Sequence, residues 1–239
     1  MKLPKETEEE NGLAPASHGR WYGDACSAAL ALEILGERWA MLVVRELMLG
    51  PRRFSSLRAD LPGISAKVLT QRLETLQSHG VLRRRKLPPP AAVQVYELTE
   101  WGYLAERPLL EMCRWGVMSR AHDPALALSP TALMLSLRAM FVPGQAQDLS
   151  LRVGFEVHGE HFVAQVANGS MQVRRGEPGE ADITFTAATA QPLLAILYGK
   201  RPLAEFERGG ALAVTGDASL AEQVIGLFEM PPKLGTPAA

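Results

Sequence analysis

Apolar positions fall at helical spacing through the first half of the chain and alternate through much of the second. From Asp24, Ala28, Leu32 and Leu35 recur on one face before a break at Gly36. "RWAMLVVRELMLG" places Trp39, Leu42, Val43 and Leu47 in a wide apolar stripe ending at Gly50, which predicts a helix central to a small core. "FSSLRADL" predicts a short third helix facing inward through Phe54, Leu57 and Leu61. After the tight turn "PGIS", Ser65 is placed to cap a helix running from about Ala66 to His79. Leu69, Leu73 and Leu76 form its inward stripe, Val68 flanks it, and Gly80 takes the C-terminal cap position. "VLRRRKL" and "VQVYELT" predict two strands, and the intervening "PPPAA" suits an exposed hairpin tip rather than a central strand. Thr99 then caps a further helix through Leu104, Leu109, Met112 and Trp115 to about Ser119.

The composition shifts around "AHDPALALSP", which places a domain boundary near residue 123. A helix of about Thr131 to Phe141 leads into alternating runs, "LSLRVGFEVHG" and "HFVAQVANGSMQVRRG". The second run holds Asn168-Gly169 between strands, a strong hairpin signal because both central residues of a type I′ turn need positive φ. "ADITFTA" and "LAVTGD" predict further strands, and "TAQPLLAILYG" and "SLAEQVIGLFEM" predict helices. The fold class is α+β. Residues 1–19, polar and rich in glutamate, are expected to be a flexible tail. Residues 20–122 follow the order four helices, β-hairpin, helix, that of a winged helix-turn-helix, with the third and fourth helices joined by a short Gly-containing turn. Residues 123–239 predict an antiparallel sheet with apolar helices packed against it.

Charge supports that division. From Arg20 to Arg120 there are 15 Lys and Arg against 10 Asp and Glu, and from Ala121 onward 8 against 12. A basic half beside an acidic half points to different partners for each. The chain has no run of 18 uncharged apolar residues and no apolar segment at its start, so neither a membrane span nor a secretory signal is expected. Two cysteines, Cys26 and Cys113, exclude a disulfide framework and a zinc quartet. A cytoplasmic location is the simplest reading.

In a winged helix-turn-helix, the helix after "PGIS" is the recognition helix. Lys67, Thr70 and Gln71 form its polar face, and Gln can pair with adenine while Lys reaches the acceptors of guanine. Ser65 and the helix N-terminus suit a phosphate, and Arg72 lies at the flank within reach of another. Arg83, Arg84, Arg85 and Lys86 alternate across the first wing strand, so half of them face one way. Arg52 and Arg53 lie near the expected backbone path. The competing reading of every one of these positions is a solvated surface. His158 and His161, with Glu156 and Glu160 close by, read as hairpin surface rather than a metal site, because ligands three apart on a strand diverge. No nucleophile–base pair, paired carboxylates or cofactor loop is present, so neither enzymatic activity nor a cofactor is expected.

Residues Cys26 to Gly116 resemble the HxlR-type transcriptional regulators, on "ILGERWAMLVVRELMLGPRRFSSLRADLPGISAKVLTQRLETLQSHGVLRRR" followed by "VYELTEWG". The region from about Leu133 to Met230 resembles a sterol carrier protein type-two-like domain, on "LRVGFEVHG", "NGSMQVRRGEPGEADITFTA" and "GALAVTGDASLAEQVIGLF". The first resemblance implies a dimeric regulator, expected to be a repressor, acting on double-stranded DNA. The second implies an apolar cavity for a hydrophobic small molecule. Phe155, Phe162, Phe185, Leu194, Leu197, Tyr198, Phe206 and Phe228 are candidates to line it, and would equally fill a dry core. The first family also implies, at Cys26, a sensor of oxidants, quinones or aldehydes; a packed small residue is the competing reading. A hydrophobic-ligand carrier that uses the winged helix only to dimerise is the alternative to a regulator.

Overall fold

The structure, a computed structural model, describes residues 22–235. The predicted tail, residues 1–19, lies outside them. Four helices open the fold: α1 (Ser27–Leu35), α2 (Ala40–Leu47), α3 (Phe54–Asp60) and α4 (Ala66–Ser78). A hairpin of β1 (Leu82–Lys86) and β2 (Gln94–Leu98) follows, paired antiparallel from Leu82↔Leu98 to Lys86↔Gln94. This is the winged helix-turn-helix order.

The predicted stripes of α2, α3 and α4 meet in one core. Val43, Val44 and Leu47 pack with Leu57, Leu69, Leu73 and Leu76, and Leu82 and Leu98 close it from the wing. Each such side chain contributes about 1.5–3 kcal/mol by leaving water. Thr99 binds the wing to the next helix at both ends: its Oγ1 accepts from Gly102 N at 3.1 Å and donates to Gly80 O at 2.7 Å. Gly102 is required there, since a Cβ would stand 2.1 Å from the Val81 carbonyl oxygen.

Three expectations for this half need correction. The α1 stripe does not face inward: Ala28 and Leu32 are exposed, and Ile34 is the buried residue. None of the described residues covers that side of the helix, so helical spacing alone did not say which face is inside. The helix after Thr99 is two helices, α5 (Glu100–Tyr103) and α6 (Glu106–Val117). Leu109 is buried, whereas Leu104, Met112 and Trp115 are exposed.

The helix α7 (Pro130–Met140) opens the second half, capped by the Ser129 hydroxyl, which accepts from Ala132 N at 3.0 Å. Nine of its eleven residues are buried. Leu135 enters the first core, Leu133, Met134 and Leu137 enter the second, and Ala139 and Met140 pack with Val117 of α6. The boundary near residue 123 marks a change of composition, yet the next helix belongs mechanically to both halves.

Beyond α7 stand β3 (Ser150–Val157), β4 (Glu160–Ala167), β5 (Ser170–Arg175), β6 (Ile183–Ala187), α8 (Gln191–Leu197), α9 (Leu203–Arg208), β7 (Ala213–Gly216) and α10 (Ala221–Gly226). Asn168 and Gly169 take φ of 50° and 69° between β4 and β5, as the hairpin signal required. The strand order is β5-β4-β3-β6-β7, and β6 runs parallel to β3, so the sheet is mixed rather than antiparallel throughout. The connection from β5 to β6 crosses the polar face of the sheet, where a Cβ on Gly154 would meet Pro178 Cβ at 2.7 Å. The other face packs on α7, α8 and α10.

Candidate nucleic-acid interface

Helix α4 stands on the surface as an amphipathic rod. The Ser65 hydroxyl accepts from Val68 N at 3.2 Å and fixes its start. Leu69, Leu73 and Leu76 hold it to the core, while Lys67, Thr70 and Gln71 are exposed together on the opposite face. Arg53 is exposed just before α3. Arg72 is drawn off the reading face: it is half-buried and pairs with Glu37 at 3.1 Å. A phosphate contact from Arg72 would have to break that pair.

Arg52 is the larger departure. Its main chain forms a bridge with Tyr96, N–H to O at 2.9 and 2.8 Å in the two directions. Its side chain is 11% exposed, and the guanidinium pairs with Asp60 and, at 2.7 Å, with Glu160 of the second half. Arg52 is therefore taken up by ion pairs within the protein instead of standing open beside Arg53. Two carboxylates hold it where sequence proximity to Arg53 had placed it on the backbone path.

The wing arginines are also partly occupied. Arg83 and Arg85 share one side of β1, and both donate to Glu97, at 2.6 and 2.5 Å. Burial pushes the Glu97 carboxyl up, but the hydrogen bonds from Arg85 and Arg83 outweigh it and hold that group below the usual carboxylate range. Its stabilising pairs persist above that range and are lost as pH falls through the depressed value. Arg84, on the other side, donates to Gln94, and Lys86 is exposed at the outer end of the strand. Glu97 is the site residue that a reading of the cations alone misses. The signal was present, an acidic residue among apolar ones in "VYELT", facing Arg83 across the hairpin. Glu97→Gln should free two guanidinium groups for phosphate. The log–log dependence of DNA affinity on salt should then steepen by about 1 to 2, at roughly 0.9 per phosphate engaged. Anisotropy titrations of a labelled duplex at several salt concentrations measure it; an unchanged slope would mean both arginines already reach DNA or never do.

The candidate ligand residues form a core. Phe155, Phe162, Phe185, Leu197 and Phe228 are fully buried in it, with Phe155 and Phe185 stacked at 5.8 Å between ring centroids. Leu194, Tyr198 and Phe206 pack against its edge; the Tyr198 and Ser136 hydroxyls lie 2.8 Å apart, and Arg201 stacks on Phe206. Burial pushes the Tyr198 phenol well up. None of the eight lines the concave cleft of about 560 Å³ between α6, the end of α7 and residues 229–232. Its walls include Trp115, Met118, Met140, Phe141 and Met230, with Arg114 and Glu229 among its polar groups.

Cys26 is exposed at the N-cap of α1, where its backbone N–H donates to Asp24 Oδ1 at 2.9 Å. Cys113 is half-buried on α6, and burial pushes its thiol up. His161 pairs with Glu177 at 2.6 Å on the polar face of the sheet. No helix among the described residues is long and apolar enough to cross a membrane.

With this geometry in place, comparison with known proteins separates the two halves. Residues 34–123 match the family model described as HxlR-like helix-turn-helix, and residues 122–233 match the one described as Alkyl sulfatase C-terminal. The chain is 38% identical over 85 residues to the uncharacterized HTH-type transcriptional regulator YvaP of Bacillus subtilis, covering 36% of this chain and 79% of the relative. It is 36% identical over 85 residues to the HTH-type transcriptional regulator YodB of the same organism, covering 36% of this chain and 76% of the relative. A crystal structure of quinone-bound YodB from B. subtilis aligns with 38% of this chain and 94% of its own, at 32% identity and a TM-score of 0.34. The second half lies outside these relatives, and the family model that matches it is not a sterol carrier one.

Proposed function

Because the chain belongs to the HxlR-like helix-turn-helix family, a family of DNA-binding transcriptional regulators, we propose that it acts as a dimeric repressor whose DNA affinity is set by an apolar small molecule. The observation that carries the DNA-reading part is the exposed Lys67, Thr70 and Gln71 face of a helix anchored by three buried leucines. Two copies of this helix, about one DNA turn apart, would read a two-fold operator.

The dimer is supported by apolar surface that the described residues leave uncovered. Leu104 and Trp115 are 73% and 77% exposed, and Trp101, Met112, Leu30 and Leu32 are exposed as well. Monomers seldom leave so many large apolar side chains open, and here they stand on or beside α1, α5 and α6. The double variant Leu104→Glu with Met112→Glu should be monomeric by sedimentation and bind operator about a hundredfold more weakly, since half-sites no longer act together. A stable dimer in that variant would remove this face from the interface.

The ligand part rests on the packed second core and the cleft beside it. Small-molecule sites favour domain junctions and volumes of about 300–1,000 Å³. One wall of the cleft is α6 of the DNA-binding half, so an occupant there would favour one inter-domain arrangement over another. Sterol-carrier-like ligand binding in the second half is thereby proposed at its edge rather than beneath its sheet.

A second reading is favoured by one observation. Cys26 is exposed at a helix start, and the relative YodB has been solved with a quinone bound. Electrophile sensing at Cys26 would then be a second input to the same DNA-binding half.

A further inference from the structure

The two halves meet through an ion-pair chain that ends on the wing. Glu160 opens β4, directly after a two-residue turn in which His158 and Gly159 take φ of 54° and 69°. Its Oε1 accepts from Arg52 at 2.7 Å, and its Oε2 accepts from Arg175 of β5. Arg175 also donates to Thr131 of α7, and its guanidinium stacks over the Phe162 ring at 4.9 Å. Arg52 in turn binds Asp60 at the end of α3 and is bridged through its main chain to Tyr96 of the wing. A continuous path thus runs from an aromatic of the second core to the third helix and wing root of the first.

Simple gluing of two surfaces does not account for the arrangement. Both Arg52 Nε and Arg175 Nε are buried, with no hydrogen-bond partner among the described residues. One carboxylate serves two guanidinium groups, one oxygen each, and the stiff turn fixes where it stands. A shift of the β3–β4 hairpin would pull on the Arg52 side chain, whose main chain is bridged to Tyr96 on the strand that carries Glu97.

We propose that Glu160 is a positioning residue for DNA reading, holding the wing root in register from the second domain through Arg52. The proposal rests on the DNA-reading function above for its consequence, but its structural part is testable without DNA. Glu160→Gln removes one of the two acceptor oxygens and sets an amide NH₂ against a guanidinium. Arg175→Ala, which leaves the direct Arg52 pair, is the second variant should the first fold poorly. Hydrogen exchange should quicken about tenfold at the Arg52 and Tyr96 amides, neither of which touches Arg175. Exchange within α4 at Leu73–Leu76 and within β4 at Val163–Val166 should be unchanged, which loss of overall stability would not allow. Affinity for a duplex selected by the wild type should also fall about tenfold, within the usual range of coupling between sites. Unchanged exchange at the wing root in both folded variants overturns the proposal, as does quickened exchange with wild-type affinity. Failure of the wild type to select any duplex would instead count against the DNA-reading function, and the exchange data would still decide the linkage.

Discussion

The double variant Lys67→Ala with Gln71→Ala keeps its fold and loses about a hundredfold in preference for operator over unrelated duplex. Both side chains are exposed and make no contact with the core, so thermal unfolding should be unchanged. Each well-placed contact to a base edge discriminates by about 1–3 kcal/mol, and the pair at about 1.4 kcal/mol apiece is a hundredfold. Residual binding should persist, because Arg53 and the wing supply attraction that does not depend on sequence. Anisotropy titration against operator and scrambled duplexes at one salt concentration gives the ratio. An unchanged ratio would take sequence reading away from α4.

Leu135→Ala should lower the stability of the whole chain by about 2–5 kcal/mol, the usual range for truncating a fully buried leucine. Leu135 lies in the first core, while its neighbours Leu133, Met134 and Leu137 lie in the second. Burial of one helix by two cores predicts a single cooperative transition. All four tryptophans, Trp21, Trp39, Trp101 and Trp115, precede residue 123 in the sequence, so tryptophan fluorescence follows the first half while amide exchange in β4 follows the other. Both probes should shift together in Leu135→Ala, and again in Leu137→Ala. Separate transitions, with one moved and the other not, would show that α7 is a linker and not a shared element. The polar contacts across the junction agree with one body. Arg138 grips Glu106 with two bonds of 2.6 Å, and Ser129 donates to the buried Glu46 at 2.8 Å.

How much of this could be read beforehand depended on the range of the cause. Helix α4 was legible because both its faces are encoded within thirteen residues at one period, and the Asn168-Gly169 turn because two adjacent residues determine it. Arg52 was not legible. Its role is set by Glu160, 108 positions away, and no local pattern carries that information. Helix α1 failed for a related reason, since period identifies a stripe without saying what covers it. The parallel β3–β6 pair depends on a crossover seated on Gly154, again a long-range contact. The short α9 has no fully buried residue and offered only Leu203 and Phe206, too brief a stripe to establish a period. Phenylalanines filling a core and phenylalanines lining a cavity have the same composition and spacing. Only packing separated them here, and it put Phe155, Phe162 and Phe185 inside.

Lys67, Thr70 and Gln71 stand exposed on α4, and what changes is the company of the arginines around them. Of the arginines expected at DNA, Arg52 and Arg72 are held by carboxylates, and Arg83 and Arg85 share one. The unencumbered positive charge near α4 is therefore smaller than a count of arginines implies, and the wing's contribution depends on Glu97 and, through Arg52, on Glu160. The most direct measurement is selection of random duplex DNA by the purified full chain. The account predicts enrichment of a two-fold symmetric sequence, its half-sites about one helical turn apart, with enrichment lost in the Lys67→Ala, Gln71→Ala variant. Recovery of no common sequence, or of the same one by the variant, would contradict it.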